Sequence, residues 1–225
     1  MNINVLDNPV WSALSEVHSN LAIDYGSVKC YLPDYCPFAG HVDHNQTSFA
    51  IHQYSINIDK FFIVGQKPKY SCDVQLVFEL VCNQMVLDTR IETNSDERII
   101  QISEHAKDEV VQLVNLVMPG YFREKTVDMG SYFGIQQDGK IVALAGERMK
   151  MNDYTEVSAI VTHPNYVGKG YATKLISSVT DKIFDENKIP FLHVAENNKL
   201  AIHLYEKLGF KTRRKMSFWN IVRSK

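Results

Sequence analysis

The chain has 225 residues, 45% of them hydrophobic and 22% charged, a globular composition that excludes a disordered or fibrous protein. Its 24 Lys and Arg against 26 Asp and Glu give a net charge of -2, so no basic field marks nucleic acid as a partner. The longest apolar run, Ile141 to Ala145, is far short of the ~18 residues of a membrane span, and the first ten residues show no charged-then-apolar leader, so a cytoplasmic protein without membrane contact is expected.

In chain order, Asn8 or Asp7 is placed to cap a helix that Pro9 opens, with Val10, Leu14, Val17 and Leu21 on one face. Val28–Leu32 reads as a short strand and residues 33–48 as loop. Phe61–Gly65 and Val74–Leu87 are strands or buried helices that periodicity does not separate. Asp88–Arg98 carries six charges in eleven residues and reads as a surface connection. It divides a first segment, 1–90, from a second, 99–225, and no repeat is visible between them.

The second segment is richer in signals. Ser103 is placed to cap a helix through Val110, Val111, Val114 and Val117. Ser131–Gln136 and Lys140–Glu147 form a hairpin about Asp138-Gly139, a pair suited to positive φ. Tyr154–Thr162 is a strand, Tyr171–Asn187 an amphipathic helix, Phe191–Val194 a short buried strand. Lys199–Leu208 is a helix that Gly209 ends in a left-handed cap, and Phe210–Val222 is a closing strand. The fold class is therefore α/β, with a mixed sheet and flanking helices.

The stretch His163–Ala172 reads HPNYVGKGYA: a strand ends, a Gly-x-Gly turn follows and a helix begins. Such a turn aims backbone N–H groups and a helix N-terminus at one point, a site for phosphate or diphosphate. It is no P-loop, because Gly170 stands where Ser or Thr is required, and no dinucleotide fingerprint, because Thr173 stands where the third Gly belongs.

Taken with Asn198-x-x-Ala201-x-x-x-Tyr205-x-x-x-Gly209-Phe210, this turn resembles the two signatures of the GNAT superfamily of acetyl-CoA-dependent N-acetyltransferases, over residues 99–225. The wording His-Pro-Asn-Tyr and Ala145-Gly146-Glu147 resembles the glycine-acyltransferase-like branch, whose first half is often a degenerate copy of the second. The resemblance implies a mostly antiparallel GNAT sheet, acetyl-CoA as co-substrate and a small amine acceptor. Diphosphate would lie on the amides around Val167, Gly168, Lys169, Gly170, Tyr171, Ala172 and Thr173, and pantetheine along Ile160, Val161 and Thr162. Asn198 and Ala201 complete the cofactor site. Val167 departs from the family's Arg or Gln and removes one phosphate contact.

For the chemistry, Glu156 is the expected base, sharing a strand face with Ser158 and Ile160, with Glu147 in reserve. Tyr205 is the expected acid for the departing thiolate, and a backbone N–H near Val161 the donor to the acyl oxygen. No cysteine lies in the second segment, so direct transfer in a ternary complex is expected rather than an acyl-enzyme. Two other readings remain: a non-catalytic acyl-CoA-binding regulatory module, and a general phosphate-binding domain. Cys30, Cys36, Cys72 and Cys82 match no zinc or redox spacing, and His41, His44 and His52 lack a partner ligand, so no metal is expected. Lys211, Arg213, Arg214 and Lys215 read as a solvated sheet edge.

Overall fold

The computed structural model describes residues 1–92 and 99–224, so the part of the charged connection from 93 to 98 lies outside the described residues. The strands are β1 (Ala22–Asp24), β2 (Val28–Tyr31), β3 (Phe38–His41), β4 (Lys60–Val64), β5 (Val74–Val86), β6 (Ile99–Gln101), β7 (Tyr132–Gln137), β8 (Lys140–Lys150), β9 (Tyr154–Thr162), β10 (Ile189–Ala195) and β11 (Lys211–Arg223). The helices are α1 (Pro9–Ser15), α2 (Ser48–Ser55), α3 (Lys107–Val117), α4 (Tyr171–Asp185) and α5 (Lys199–Lys207). All the strands join one sheet, in the order β1-β2-β3-β4-β11-β5-β10-β9-β8-β7-β6. Most pairs are antiparallel; β3–β4 and β9–β10 are parallel.

The sheet contains an internal repeat that the sequence does not show. Three antiparallel strands, a helix and a parallel strand occur as β1-β2-β3-α2-β4 and again as β7-β8-β9-α4-β10. The closing strands then cross over: β5, from the first half, pairs with β10, while β11, from the second, pairs with β4. β5 and β11 pair with each other at the centre. The long strand β5 is thereby paired along its length by β11 and, over residues 82–86, by β10 on its other side, both neighbours taken from the other half.

Side chains alternate across the sheet. Phe62 and Val64 of β4 join the cluster of Leu6, Val10, Ala13 and Leu14 under α1, whereas Phe61 and Ile63 join Ala50, Ile51 and Tyr54 of α2. On β10, Phe191 packs on the α1 side, and Leu192 and Val194 pack with Leu175, Ile176 and Val179 of α4 and Tyr205 of α5. The helix α3 buries Val110, Leu113 and Val114 against Leu144 of β8 and Val161 of β9.

Several expectations need correction. The first helix is shorter than its apolar face: it ends at Ser15, and the chain turns so that His18 sits buried between Tyr31 Oη (3.0 Å) and the Met129 carbonyl (3.3 Å). Asn8 caps nothing with its side chain, whose Nδ2 donates instead to the His41 carbonyl at 2.7 Å. Ser103 precedes a 3-10 turn, Glu104–Ala106, and α3 begins only at Lys107. The basic run on β11 is not simply solvated: β5 pairs it on one side, the ladder to β4 begins only at Phe218, and Lys211, Arg213, Arg214 and Lys215 are paired with Asp88, Asp7, Asp7 and Glu196. The region read as loop, 33–48, contains β3, and α2 follows it.

The four thiols are free. Among the described residues no helix is long and apolar enough to cross a membrane, and no group of three His, Cys, Asp or Glu side chains is placed to hold a metal ion.

Candidate active site

The two glycines of the turn after β9 are left-handed, Gly168 at φ +81° and Gly170 at φ +76°. An L-side chain is strained at such angles, which is why this turn uses glycine. A Cβ at either position would meet no protein atom within 4 Å, so the space over the turn is open to a ligand. Gly170 is the N-cap of α4 and no side chain caps the helix, so the N–H groups of its first turn lack the usual partner. An uncapped N-terminus behind two glycines is a cradle for a diphosphate. Lys169 folds its ammonium over the Tyr166 ring at 5.0 Å, and Val167 is exposed beside it. Tyr171 is turned inward, accepting from Gln137 Nε2 at 3.2 Å, so only its backbone faces the cradle.

Beside this cradle the sheet opens. The parallel ladder between β9 and β10 runs Tyr154–Ile189, Thr155–Pro190 and Glu156–Phe191, and then stops. Beyond that point β9 stays with β8, and β10 stays with β5. The fork between them is a cavity of about 370 Å³ that passes through the sheet. Ile160, Leu192, Val194, Asn198, Ala201 and Tyr205 line it on the α4–α5 side; Phe38, Leu80, Cys82, Tyr121, Arg148 and Phe218 line it on the α1 side.

The strand β9 carries an extra residue within the fork. Leu144 pairs with Val161 but Gly146 with Ser158, and Ala159 has φ +51°. This bulge breaks the alternation expected from Glu156 through Ser158 to Ile160. Ala159 and Val161 pack towards α3, while Ile160 is turned to the α4 side. A bulged residue leaves backbone groups out of the ladder, so an N–H in this stretch becomes available to the fork.

Glu156 stands at the fork's apex, fully buried. Arg148 Nε donates to its Oε2 at 2.7 Å, Arg148 Nη2 to its Oε1 at 2.8 Å, and His193 Nδ1 lies 2.8 Å from Oε1. Burial alone would raise the carboxyl pKa, but the Arg148 charge and these hydrogen bonds outweigh it and hold it at about 2. Gln84 fixes the tautomer of His193. Its Oε1 accepts from Arg213 and its Nε2 donates to the Leu6 carbonyl, so the contact from Nε2 to His193 Nε2 at 3.2 Å makes that ring nitrogen the acceptor. His193 Nδ1–H is left to donate to Glu156. The carboxylate expected as a base has both oxygens engaged and does not face the cavity. Glu147 is buried elsewhere, its Oε2 accepting from Ser131 N at 2.8 Å and Lys150 Nζ at 2.9 Å.

Tyr205 does face the fork, from α5. Burial pushes its phenol up to about 12. Asn198 lines the cavity while its Oδ1 caps α5 through Ala201 N at 3.2 Å. Thr162 and Val161 lie on the fork strand, but the Val161 side chain points away to α3. Arg148 and His193 were not singled out in the sequence; each sits on a strand within no motif.

An FR47-like protein family model matches residues 132–219. A solved structure of an acetyltransferase from the GNAT family, from Novosphingobium aromaticivorans, superposes with TM-score 0.90 at 29% identity, covering 98% of this chain and 99% of that one. A GCN5-related N-acetyltransferase from Kribbella flavida superposes with TM-score 0.65 at 12% identity over 100% of this chain and 97% of its own. A spermidine N(1)-acetyltransferase of Vibrio cholerae is 44% identical over 54 residues, a match that spans 23% of this chain and 31% of that relative.

Proposed function

We propose that this GNAT-family chain, with its mixed α/β GNAT fold, transfers an acetyl group from acetyl-CoA to the primary amine of a small, amino-acid-like acceptor, both being bound at once. The observation that carries this reading is the fork: the ladder from β9 to β10 ends at Glu156–Phe191, and the opening beyond it is a cavity walled by β9, the strand that leads into the glycine turn. Residues 99–225 supply the cradle, one wall and half of the facing one, to which residues 1–90 add Phe38, Leu80 and Cys82. The repeat within the sheet, with its cradle-less first half, supports placing the chain in the glycine-acyltransferase-like branch. The expected setting is the cytoplasm.

In this reading acetyl-CoA supplies the activated acyl thioester. The amides of residues 168–173 hold its diphosphate, and the backbone of Ile160, Val161 and Thr162 lies along the pantetheine, next to Asn198 and Ala201. Val167 offers no guanidinium, so binding depends on main-chain donors. The bulge at Ala159 turns an N–H towards the acyl oxygen. An alkylamine acceptor, pKa ~10.4, must lose a proton before attack. With both oxygens of Glu156 taken, the proton passes to solvent in the cavity, and Glu156 serves as a positioning residue that fixes Arg148 and His193. Tyr205 donates to the departing thiolate; a thiol of pKa ~8.5 leaves tolerably unaided, so this help is modest.

Among the described residues no Asp or Glu lines the fork, which favours a second reading, a CoA-binding module without turnover. Thiol release from acetyl-CoA, measured with and without amines, separates the two. Release that depends on amine supports transfer. CoA binding without release supports the module.

A further inference from the structure

The acceptor side of the fork carries one guanidinium, Arg148, with His193 beside it held by Glu156 and Gln84, and a wall that is otherwise mostly apolar. Arg148 stacks on Phe38, its Cζ 4.7 Å from the ring centre, and lines the cavity with a side chain 11% exposed. Glu156 occupies the Nε–Nη2 edge of the guanidinium and leaves Nη1 with no hydrogen bond among the described residues. The guanidinium is planar and fixed on two sides, so its free edge is presented to the cavity without further loss of side-chain freedom. Around it stand Leu80, Cys82, Tyr121 and Phe218, and among the described residues no carboxylate lines the cavity. Tyr121 is itself held in place by stacking on Phe62 at 5.3 Å.

A cavity wall of this kind prefers an occupant with two features. A carboxylate completes the unused edge of Arg148, because guanidinium donors match a planar acid group. An apolar body fills the space between the aromatic rings. A polycation finds a fixed positive charge and no acid group to answer its own. We propose that the acceptor is an α-amino acid with an apolar or aromatic side chain, its carboxylate held by Arg148, and that polyamines are not acceptors here. This inference rests on the acetyl-transfer reading and narrows it.

The test is thiol release from acetyl-CoA with four acceptors: phenylalanine; phenethylamine, the same body without the acid; glycine, the acid without the body; and spermidine. CoA binding is measured in parallel by calorimetry. Phenylalanine is expected to exceed each of the others by about ten- to a hundredfold in kcat/KM, the span of a hydrogen bond to a charged group. In Arg148→Met/Glu156→Gln, which removes the buried pair together, the ratio of phenylalanine to phenethylamine is expected to fall to about one. That ratio does not depend on how much folded protein the variant yields. Phenethylamine or spermidine equal to phenylalanine in the unaltered protein overturns the inference and leaves acetyl transfer standing, and a ratio unchanged in the double variant removes Arg148 from it. CoA binding without thiol release from any of the four overturns the inference and the transfer reading together.

Discussion

Glu156 and Phe191 are the last paired residues of β9 and β10, and the carboxylate at that apex is bound by Arg148 from the neighbouring strand. A carboxylate placed at the mouth of the fork would be poised to take a proton. One locked by two guanidinium hydrogen bonds and a histidine is poised to hold its neighbours still.

Glu156→Gln discriminates between those roles. A general base is worth ~10²–10⁴ in rate, so its loss as a base would lower kcat by that amount. As a positioning residue, Gln keeps the shape but leaves the Arg148 charge without its counter-ion. Breaking one partner of a buried pair costs about 3–5 kcal/mol of stability. The expected result is a large fall in Tm, a rise in acceptor KM and a kcat within about tenfold of the unaltered protein. Thermal unfolding and steady-state kinetics on the same preparation check it.

The cradle is tested at Gly170 and Val167. Gly170→Ala puts a Cβ on a residue at φ +76°, which costs about 1–2 kcal/mol in conformation and intrudes on the diphosphate. CoA affinity is expected to fall about tenfold or more, with a small drop in Tm. Val167→Arg adds a charged donor at an exposed position beside the turn, and is expected to strengthen CoA binding by about three- to tenfold at low salt, less at high salt. Calorimetric titration with CoA at two salt concentrations reads both.

How these residues come together explains what the sequence could and could not tell. The second half is legible because its signals are local. Asp138 and Gly139 take φ +51° and +76° in the hairpin, Gly209 takes φ +94° after α5, and the apolar face of α4 falls where its spacing puts it, while α5 buries Ile202 beside Tyr205. The glycine turn and the Asn198–Phe210 signature are contiguous in the chain. The first half is less legible because its elements are defined by partners far away. β3 has four residues directly after Pro37 and is a strand because β2 and β4 flank it. The place of β5 between β10 and β11 follows from a crossing of the two halves that no window along the chain contains. Arg148 escaped notice for the same reason: only the shifted register of β8 against β9 brings it to Glu156, eight residues on. The bulge at Ala159, which turned Ile160 to the other face, has no glycine to announce it.

Tyr205→Phe tests the acid. The phenol is pushed up to about 12 by burial, which makes it a reluctant donor at neutral pH. Its removal is expected to lower kcat by about ten- to a hundredfold, at the weak end of general acid catalysis, with the KM for acetyl-CoA little changed. A pH profile should show no alkaline limb from this group below about pH 11. A variant as active as the unaltered protein would leave Tyr205 as a wall of the fork only.

Two buried groups, His18 and Glu156, contribute to the acid stability of the fold in different windows, with buried His41 adding in the direction of His18. His18 has its pKa lowered to about 4 by burial, against 6.5 for a free histidine. Between those values the unfolded chain binds more protons than the folded one, so stability is complete above about 6.5 and is lost as the pH falls towards 4. Glu156, held at about 2 against 4.5, contributes above 4.5 and is lost as the pH falls from there through 2. Unfolding free energy measured against pH should therefore decline in two stages. The His18 stage is worth on the order of 3 kcal/mol, from a shift of some two and a half pH units. His18→Gln is expected to flatten the decline between pH 6.5 and 4 and leave the lower one, because Gln carries no titrating charge. It also loses part of the contact with Tyr31 and the Met129 carbonyl, so its curve should lie below that of the unaltered protein at neutral pH and converge on it near pH 4.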